Sequence, residues 1–191
     1  NWGVYNATYD KILVVNDDNV FPKNWDSVLE PYIQKGRVVT PNEIEPQPSM
    51  FIQKHIKDLG KSPSEFDLSQ FWDYEQSLPV LPPEVSGSTL PFAMYRYDYL
   101  AVGGWDIMYP SPHVVDWDFF LKCEYFGMEM LRIYKHFYHF CGVSTRSTPE
   151  QSAESTRKEM KAHEFFKLKW DTPAEHNQET NSKLLKKFQN G

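Results

Sequence analysis

The chain has 191 residues, 40% hydrophobic and 24% charged, enough to build the core of one ordinary domain and too apolar for a disordered polyelectrolyte. Its formal charge of -6 argues against a protein that holds bare nucleic acid by counterion release, and no apolar run approaches the roughly 18 residues of a membrane-crossing helix. Cys123 and Cys141 are the only cysteines, which excludes a disulfide scaffold and fits a reducing, cytoplasmic compartment.

The aromatic content of 16% predicts a thick aromatic core or a ring-stacking pocket. The chain opens at Asn1 with no Met, basic n-region or apolar h-region, so the sequence predicts that its true beginning is missing, cleaved or on another segment.

In chain order, the β-branched apolar run at 11–15 predicts a buried strand, and Asn16, Asp17, Asp18 and Asn19 a polar loop at its carboxyl end. A helical pattern follows from Pro22 through Trp25, Val28, Leu29 and Tyr32, then a short strand at 37–40, stopped by Pro41. Strand, helix, strand predicts an α/β sheet with a parallel portion. Residues 41–91 hold most of the prolines and two short helical patches, at about 50–59 and 65–76; a connection this long is usually functional or mobile. Phe92 to Tyr97 reads as a strand, with a short helix after it to Val102 and a turn at Gly103 and Gly104. A helix spans 116–126 and ends at Gly127. Two further strands are predicted, at 130–134 and 137–141, and from Pro149 onward the chain reads as charged helix.

Three constellations could carry chemistry. Asp17 and Asp18 at a strand end are hard oxygen ligands for Mg²⁺ or Mn²⁺, or turn formers. Asp116 and Asp118 flank the start of a helix, where an Asp is a cap or a general base. Of the two, Asp116 lies in the loop-to-helix junction, from which a side chain reaches a cleft. His136 and His139 sit three apart on a strand and so face opposite sides. His139, beside the break at Gly142, is the one placed to meet a metal or a diphosphate, or it is a buried hydrogen-bonded histidine. Walker, G-x-G-x-x-G, G-x-S-x-G and H-E-x-x-H patterns are absent from the sequence.

Taken together, the motifs resemble those of inverting glycosyltransferases of family 2. The similar features are Ile12 to Asp18 with Pro22 and Trp25, Phe92 to Arg96, and Gly103-Gly104-Trp105-Asp106. Asp116-Trp117-Asp118, His139 through Gly142 to Ser144, and Phe165 to Trp170 complete the series. The resemblance implies a GT-A fold, an α/β Rossmann-like, mixed but mostly parallel sheet flanked by helices, with C-terminal helices. It implies a catalytic core over 1–148, with 41–91 as a variable acceptor-side insertion, and a helical extension over 149–191 packed on it.

By the same resemblance, Asn16, Asp17, Asp18 and His139 bind the donor diphosphate, and Asp18 and His139 the Mn²⁺ or Mg²⁺. Asp116 is the base, and Trp105, Asp106 and Asp118 meet the acceptor. The expected reaction moves a sugar from a nucleotide diphosphate sugar, most often a UDP-sugar, to a hydroxyl of a glycan or glycoconjugate. Val115 stands where the family usually has Glu. Asn1 to Ala7 is similar to a family segment well inside the domain, so either another segment supplies the pocket for the nucleotide base or donor binding is expected to be weak. Two alternatives are a nucleotidyltransferase acting on a sugar phosphate and a carbohydrate-binding module without catalysis.

Overall fold

The computed structural model describes residues 1–47, 55–141 and 148–174. In chain order the elements are α1 (Trp2–Asn6), β1 (Lys11–Val14), β2 (Asn19–Val20), α2 (Trp25–Leu29) and β3 (Arg37–Glu45). They continue with β4 (His55–Ile56), α3 (Leu68–Ser77), β5 (Glu84–Val85), β6 (Phe92–Tyr95) and α4 (Arg96–Ala101). The last three are α5 (Val115–Tyr125), β7 (Glu129–His139) and α6 (Pro149–Trp170). A short 3-10 turn, Glu30–Tyr32, prolongs α2 with Pro31 in its first turn, where a missing N–H costs nothing.

The strands form one seven-stranded mixed sheet of order β1-β6-β3-β7-β2, with β4 beside β3 and β5 beside β7. β6 is antiparallel to both β1 and β3, so β1 and β3 run the same way with a reversed strand between them. β3 and β7 are parallel over a long register, from Arg37 opposite Glu129 to Ile44 opposite Tyr138. β2 lies antiparallel on the far side of β7, with Asn19 opposite His139. The carboxyl ends of β1, β3 and β7 therefore share one edge of the sheet, and the turn from β1 into β2 crosses it.

Alternation along the strands divides the core. Ile12, Val38, Phe92, Met94 and Met130 pack with Tyr99, Phe119 and Phe120 of α4 and α5. Leu13, Val39, Ala93, Leu131 and Phe137 pack with Trp25 and Leu29 of α2. Toward the carboxyl edge, Ile44, Tyr138 and Phe140 pack with Phe71 of α3.

The helix ends follow their sequence signals. Gly127, at φ 76°, closes α5 in a Schellman arrangement: its N–H donates to Glu124 O, and that of Met128 to Cys123 O. Thr148 and Gln151 form a reciprocal capping box at the start of α6. That helix packs on the core through Ala162 and Phe166, against Tyr109, Val114 and Leu121. The part of the expected extension over 175–191 lies outside the described residues. Among the described residues, no helix is long and apolar enough to cross a membrane.

Four expectations are corrected. Pro41 does not stop its strand: β3 continues to Glu45, because the pairing with β7 shifts register between Pro41 and Asn42, and a bulge spares the proline its missing ladder bond. Residues 130–134 and 137–141 are not two strands, since β7 runs unbroken to His139 across the same shift. His55 and Ile56 form a strand rather than part of a helix, pairing with Ile44 and Glu45; residues 50–54 of that patch lie outside the described residues. The sheet is mixed but not mostly parallel: of its six pairings among the described residues, two are parallel, because β6 turns back between β1 and β3.

Phe119 joins sheet to helices. It is fully buried, with its ring centroid 5.2 Å from Phe92, 4.9 Å from Tyr99 and 5.0 Å from Trp105. Phe119→Ala is expected to cost about 3–5 kcal/mol, the range for a fully buried aromatic, read as a lower denaturation midpoint with an unchanged slope.

Candidate functional site

The continuation of β3 past Pro41 brings two acidic side chains to the carboxyl edge of the sheet. Glu43 and Glu45 are two residues apart and point the same way, toward His139 at the end of the parallel neighbour β7. The Nδ1 atom of His139 lies 2.9 Å from Oε1 of Glu45 and 3.7 Å from Oε1 of Glu43. On the other side of the ring, Nε2 lies 3.5 Å from Oδ2 of Asp18. The chain reaches that point because Asn16 O accepts the Asn19 N–H, closing a turn, and Asp18 O accepts the Phe140 N–H. The Asn19 side-chain amide donates to Glu43 Oε1 at 3.3 Å.

Burial alone would depress the His139 pKa, but hydrogen bonds with Asp18, Cys141 and Glu45 and the nearby charge of Glu43 outweigh it and push it up to about 12. Cys141, in the left-handed region at φ 59°, curls its Sγ back to 3.8 Å from His139 Nδ1. Glu45, His139 and Cys141 present one ligand atom each, all within 4.8 Å of one another. This is a candidate metal triad of oxygen, nitrogen and sulfur.

Asp18 and His139, the residues chosen from the sequence as metal ligands, therefore meet. Asn16 contributes its carbonyl to the turn, and Asp17 is exposed at its tip; neither is brought into the cluster. Sequence reasoning missed Glu43, Glu45 and Cys141. Alternating glutamates after Pro41 were the available signal, hidden by ending the strand at the proline. Gly142 and Ser144, which complete the motif after His139, lie outside the described residues. His136 faces the other side of β7, edge-on to His55 at 4.6 Å, and burial with the charges of His55 and Lys135 lowers its pKa to about 3.

Asp116 sits in the first turn of α5 behind Val114, a buried β-branched residue held at φ 54°, a strained conformation of the kind that gathers at functional sites. Burial raises the Asp116 carboxyl to about 6, against the pull of the backbone N–H groups of Trp117 and of Asp116 itself. One helical turn on, Phe119 stacks on Phe92, which lies opposite Val14 at the end of β1. The start of α5 thus stands near the same edge of the sheet as the turn carrying Asp18, on the opposite face from Glu43, Glu45 and His139.

The loop before it is clamped. Asn1 accepts the Tyr99 hydroxyl and the Trp105 N–H on Oδ1 and donates from its amide to Trp105 O. Gly104 is required there: at φ 60° a Cβ would lie 2.5 Å from Asn1 Oδ1 and 2.7 Å from Tyr99 Cε1. Trp105 packs its ring among Phe92, Tyr99 and Phe119.

Asp106 and Asp118 take a different place from the expected acceptor contacts. Lys169 of α6 reaches Oδ2 of Asp106 and Oδ1 of Asp118, both at 2.6 Å. Asp118 Oδ1 also accepts from Tyr109 OH at 3.2 Å and Trp170 Nε1 at 2.8 Å, and Lys122 stands 3.3 Å from its Oδ2. With no exposed surface, Asp118 is a bolt between α5 and α6 rather than a group offered to a ligand. Asp106, held by Lys169 and by the Met108 N–H, has its pKa lowered because these bonds outweigh its burial.

No protein-family model matches the chain, and no curated protein matches it.

Lys169→Met removes one of the two cations facing Asp118. The expected loss is about 3 kcal/mol, the lower end of the range for breaking a buried pair, since Lys122 remains. Urea denaturation of the variant measures it, and a loss below about 1 kcal/mol would show the network to be a surface pair in energetic terms.

Proposed function

We propose that the chain is the catalytic part of a metal-dependent inverting glycosyltransferase of GT-A type, acting on a nucleotide diphosphate sugar and a hydroxyl acceptor. The observation that carries this reading is the contact between Asp18 and His139, 3.5 Å apart. They are far apart in sequence, and the family resemblance pairs them at the donor diphosphate. Their setting, beyond the carboxyl ends of parallel strands, is the usual ligand position of open α/β sheets.

Carboxylate oxygen and imidazole nitrogen are donors that Mn²⁺ accepts and Mg²⁺ accepts in part, so the residues present fit the ion. Asp18, with His139 beside it, would hold it. The ion's chemistry there is to offset charge on the departing nucleoside diphosphate.

Asp116 is the proposed base. A carboxyl raised to about 6 by burial is ionised at neutral pH yet more basic than an exposed aspartate, which suits removal of a hydroxyl proton. Val114, in its left-handed conformation, turns the chain into α5 and so fixes where that carboxyl stands. Trp105, half-buried, is held by Asn1 and three rings, and the resemblance implies that it meets the acceptor. A single in-line displacement, with Asp116 taking the acceptor proton, inverts the anomeric carbon.

Calorimetric titration of UDP and UDP-sugars with Mn²⁺, and again with EDTA, tests the donor site. Binding is expected to need the metal and to be lost in Asp18→Ala; binding indifferent to EDTA would overturn this assignment. Silence under every condition would favour a transferase whose nucleotide pocket lies on another segment, or a non-catalytic carbohydrate-binding module.

For the base, the rate of transfer is expected to rise through pH about 6 and level off above it, because only the ionised carboxylate accepts the proton. Asp116→Asn should lower transfer by at least 100-fold with donor affinity intact. Transfer at the wild-type rate in that variant would remove Asp116 from the role.

A further inference from the structure

The two faces of the His139 ring differ in chemistry. Nε2 faces a carboxylate from the turn after β1, while Nδ1 faces Glu45 on the neighbouring strand and the thiol two residues along its own chain. We propose that Glu45, His139 Nδ1 and Cys141 form a site for a divalent cation of the zinc class, with Asp18 orienting the imidazole from behind.

The donor set argues for this class. An oxygen, an imidazole nitrogen and a sulfur together suit a borderline-soft ion such as Zn²⁺ or Co²⁺, whereas Mg²⁺ and Ca²⁺ take oxygen almost alone. Bond lengths of about 2.0–2.3 Å to a tetrahedral ion place its ligand atoms about 3.3–3.8 Å from one another. Here Nδ1 is 2.9 Å from Glu45 Oε1 and 3.8 Å from Cys141 Sγ, with all three ligand atoms within 4.8 Å. An ion needs shifts of an ångström or less, within side-chain freedom.

The backbone favours the same reading. β3 and β7 are parallel neighbours, which sets Glu45 beside His139, and the left-handed turn at Cys141 bends the thiol back toward the ring instead of carrying it on along the strand. Cys123, the other thiol, is fully buried in α5 and no rival for the ion. Three protein ligands among the described residues leave one tetrahedral position for water or a ligand oxygen, the pattern of reactive rather than closed zinc sites.

Asp18 then has a defined part. With Nδ1 on the ion, Nε2 carries the ring proton and faces Asp18 Oδ2 at 3.5 Å, the carboxylate–histidine–metal relay that fixes tautomer and ring orientation. The site rests on its own geometry. Under the transfer reading it makes His139 a ligand of this second ion and a neighbour of Asp18, instead of a ligand of the donor's ion.

Titration of the purified, reduced chain with Co²⁺ alone, without nucleotide, tests the site separately from the transfer reading. One equivalent is expected to bind, with a thiolate-to-cobalt charge-transfer band in the near ultraviolet and the visible bands of four-coordinate cobalt, and Zn²⁺ should displace it. Cys141→Ser should abolish the charge-transfer band. Asp18→Asn should keep the band and weaken affinity about 10–100-fold.

In the wild-type chain, Zn²⁺ should protect Cys141 from alkylation, which keeps the test open if a variant fails to fold. Absence of the band, its survival in Cys141→Ser, or undiminished alkylation under Zn²⁺ would overturn the site. Unchanged affinity in Asp18→Asn would overturn the orienting role. Cobalt binding without any nucleotide binding would overturn donor binding by this chain and leave the metal site standing.

Discussion

The imidazole of His139 is where three separate stretches of chain meet: the turn between β1 and β2, the far end of β3, and the end of β7. Each supplies an acid or a thiol to the ring. Groups of that kind are costly to withdraw from water unless they find partners, so their common partner restricts how the three segments can lie. A sheet in which β3 ended at Thr40, or in which β7 broke after Tyr134, would not bring Glu43 and Glu45 alongside the ring. The bulge between Pro41 and Asn42 is thus a precondition of the site as well as an accommodation of a proline.

A second constraint acts from the opposite side of the sheet. Phe119 holds α5 against Phe92, while Asp118, the residue before it, is gripped by Lys169, Lys122, Tyr109 and Trp170. Adjacent residues of one helix thereby tie it to the sheet and to α6. The consequence falls on Asp116, one turn back, whose carboxyl is withdrawn from water far enough to shift its pKa. For the proposed base, this packing on both sides of α5 would set the position and the basicity of the carboxyl together. Asn1 and Gly104 extend that support to the loop bearing Trp105.

Much of the architecture was legible in the sequence because the signals were local. The β-branched run of β1, the helix of α5 with Gly127 after it, and the charged helix opened by Pro149 each carry their instruction within a few residues. The same holds for the opposite facing of His136 and His139, which follows from strand periodicity alone. The errors arose where a local rule met a tertiary exception. Proline usually ends a strand, yet here a register shift absorbs it, and Glu43 and Glu45 fell within the stretch beyond that proline, read as a long connection.

By itself, then, the sequence determined the α/β class, the helices α3, α5 and α6, and the selection of Asp18, Asp116 and His139 as residues worth placing, since composition, period and capping are properties of short windows. Only the tertiary structure decided that Asp118 is a buried bolt, that Asn1 clamps the Trp105 loop, and that Glu45 and Cys141 share a ring with Asp18. Those outcomes depend on which strands become neighbours and in what register. Register is set by the packing of the whole sheet, which no short window of the chain contains.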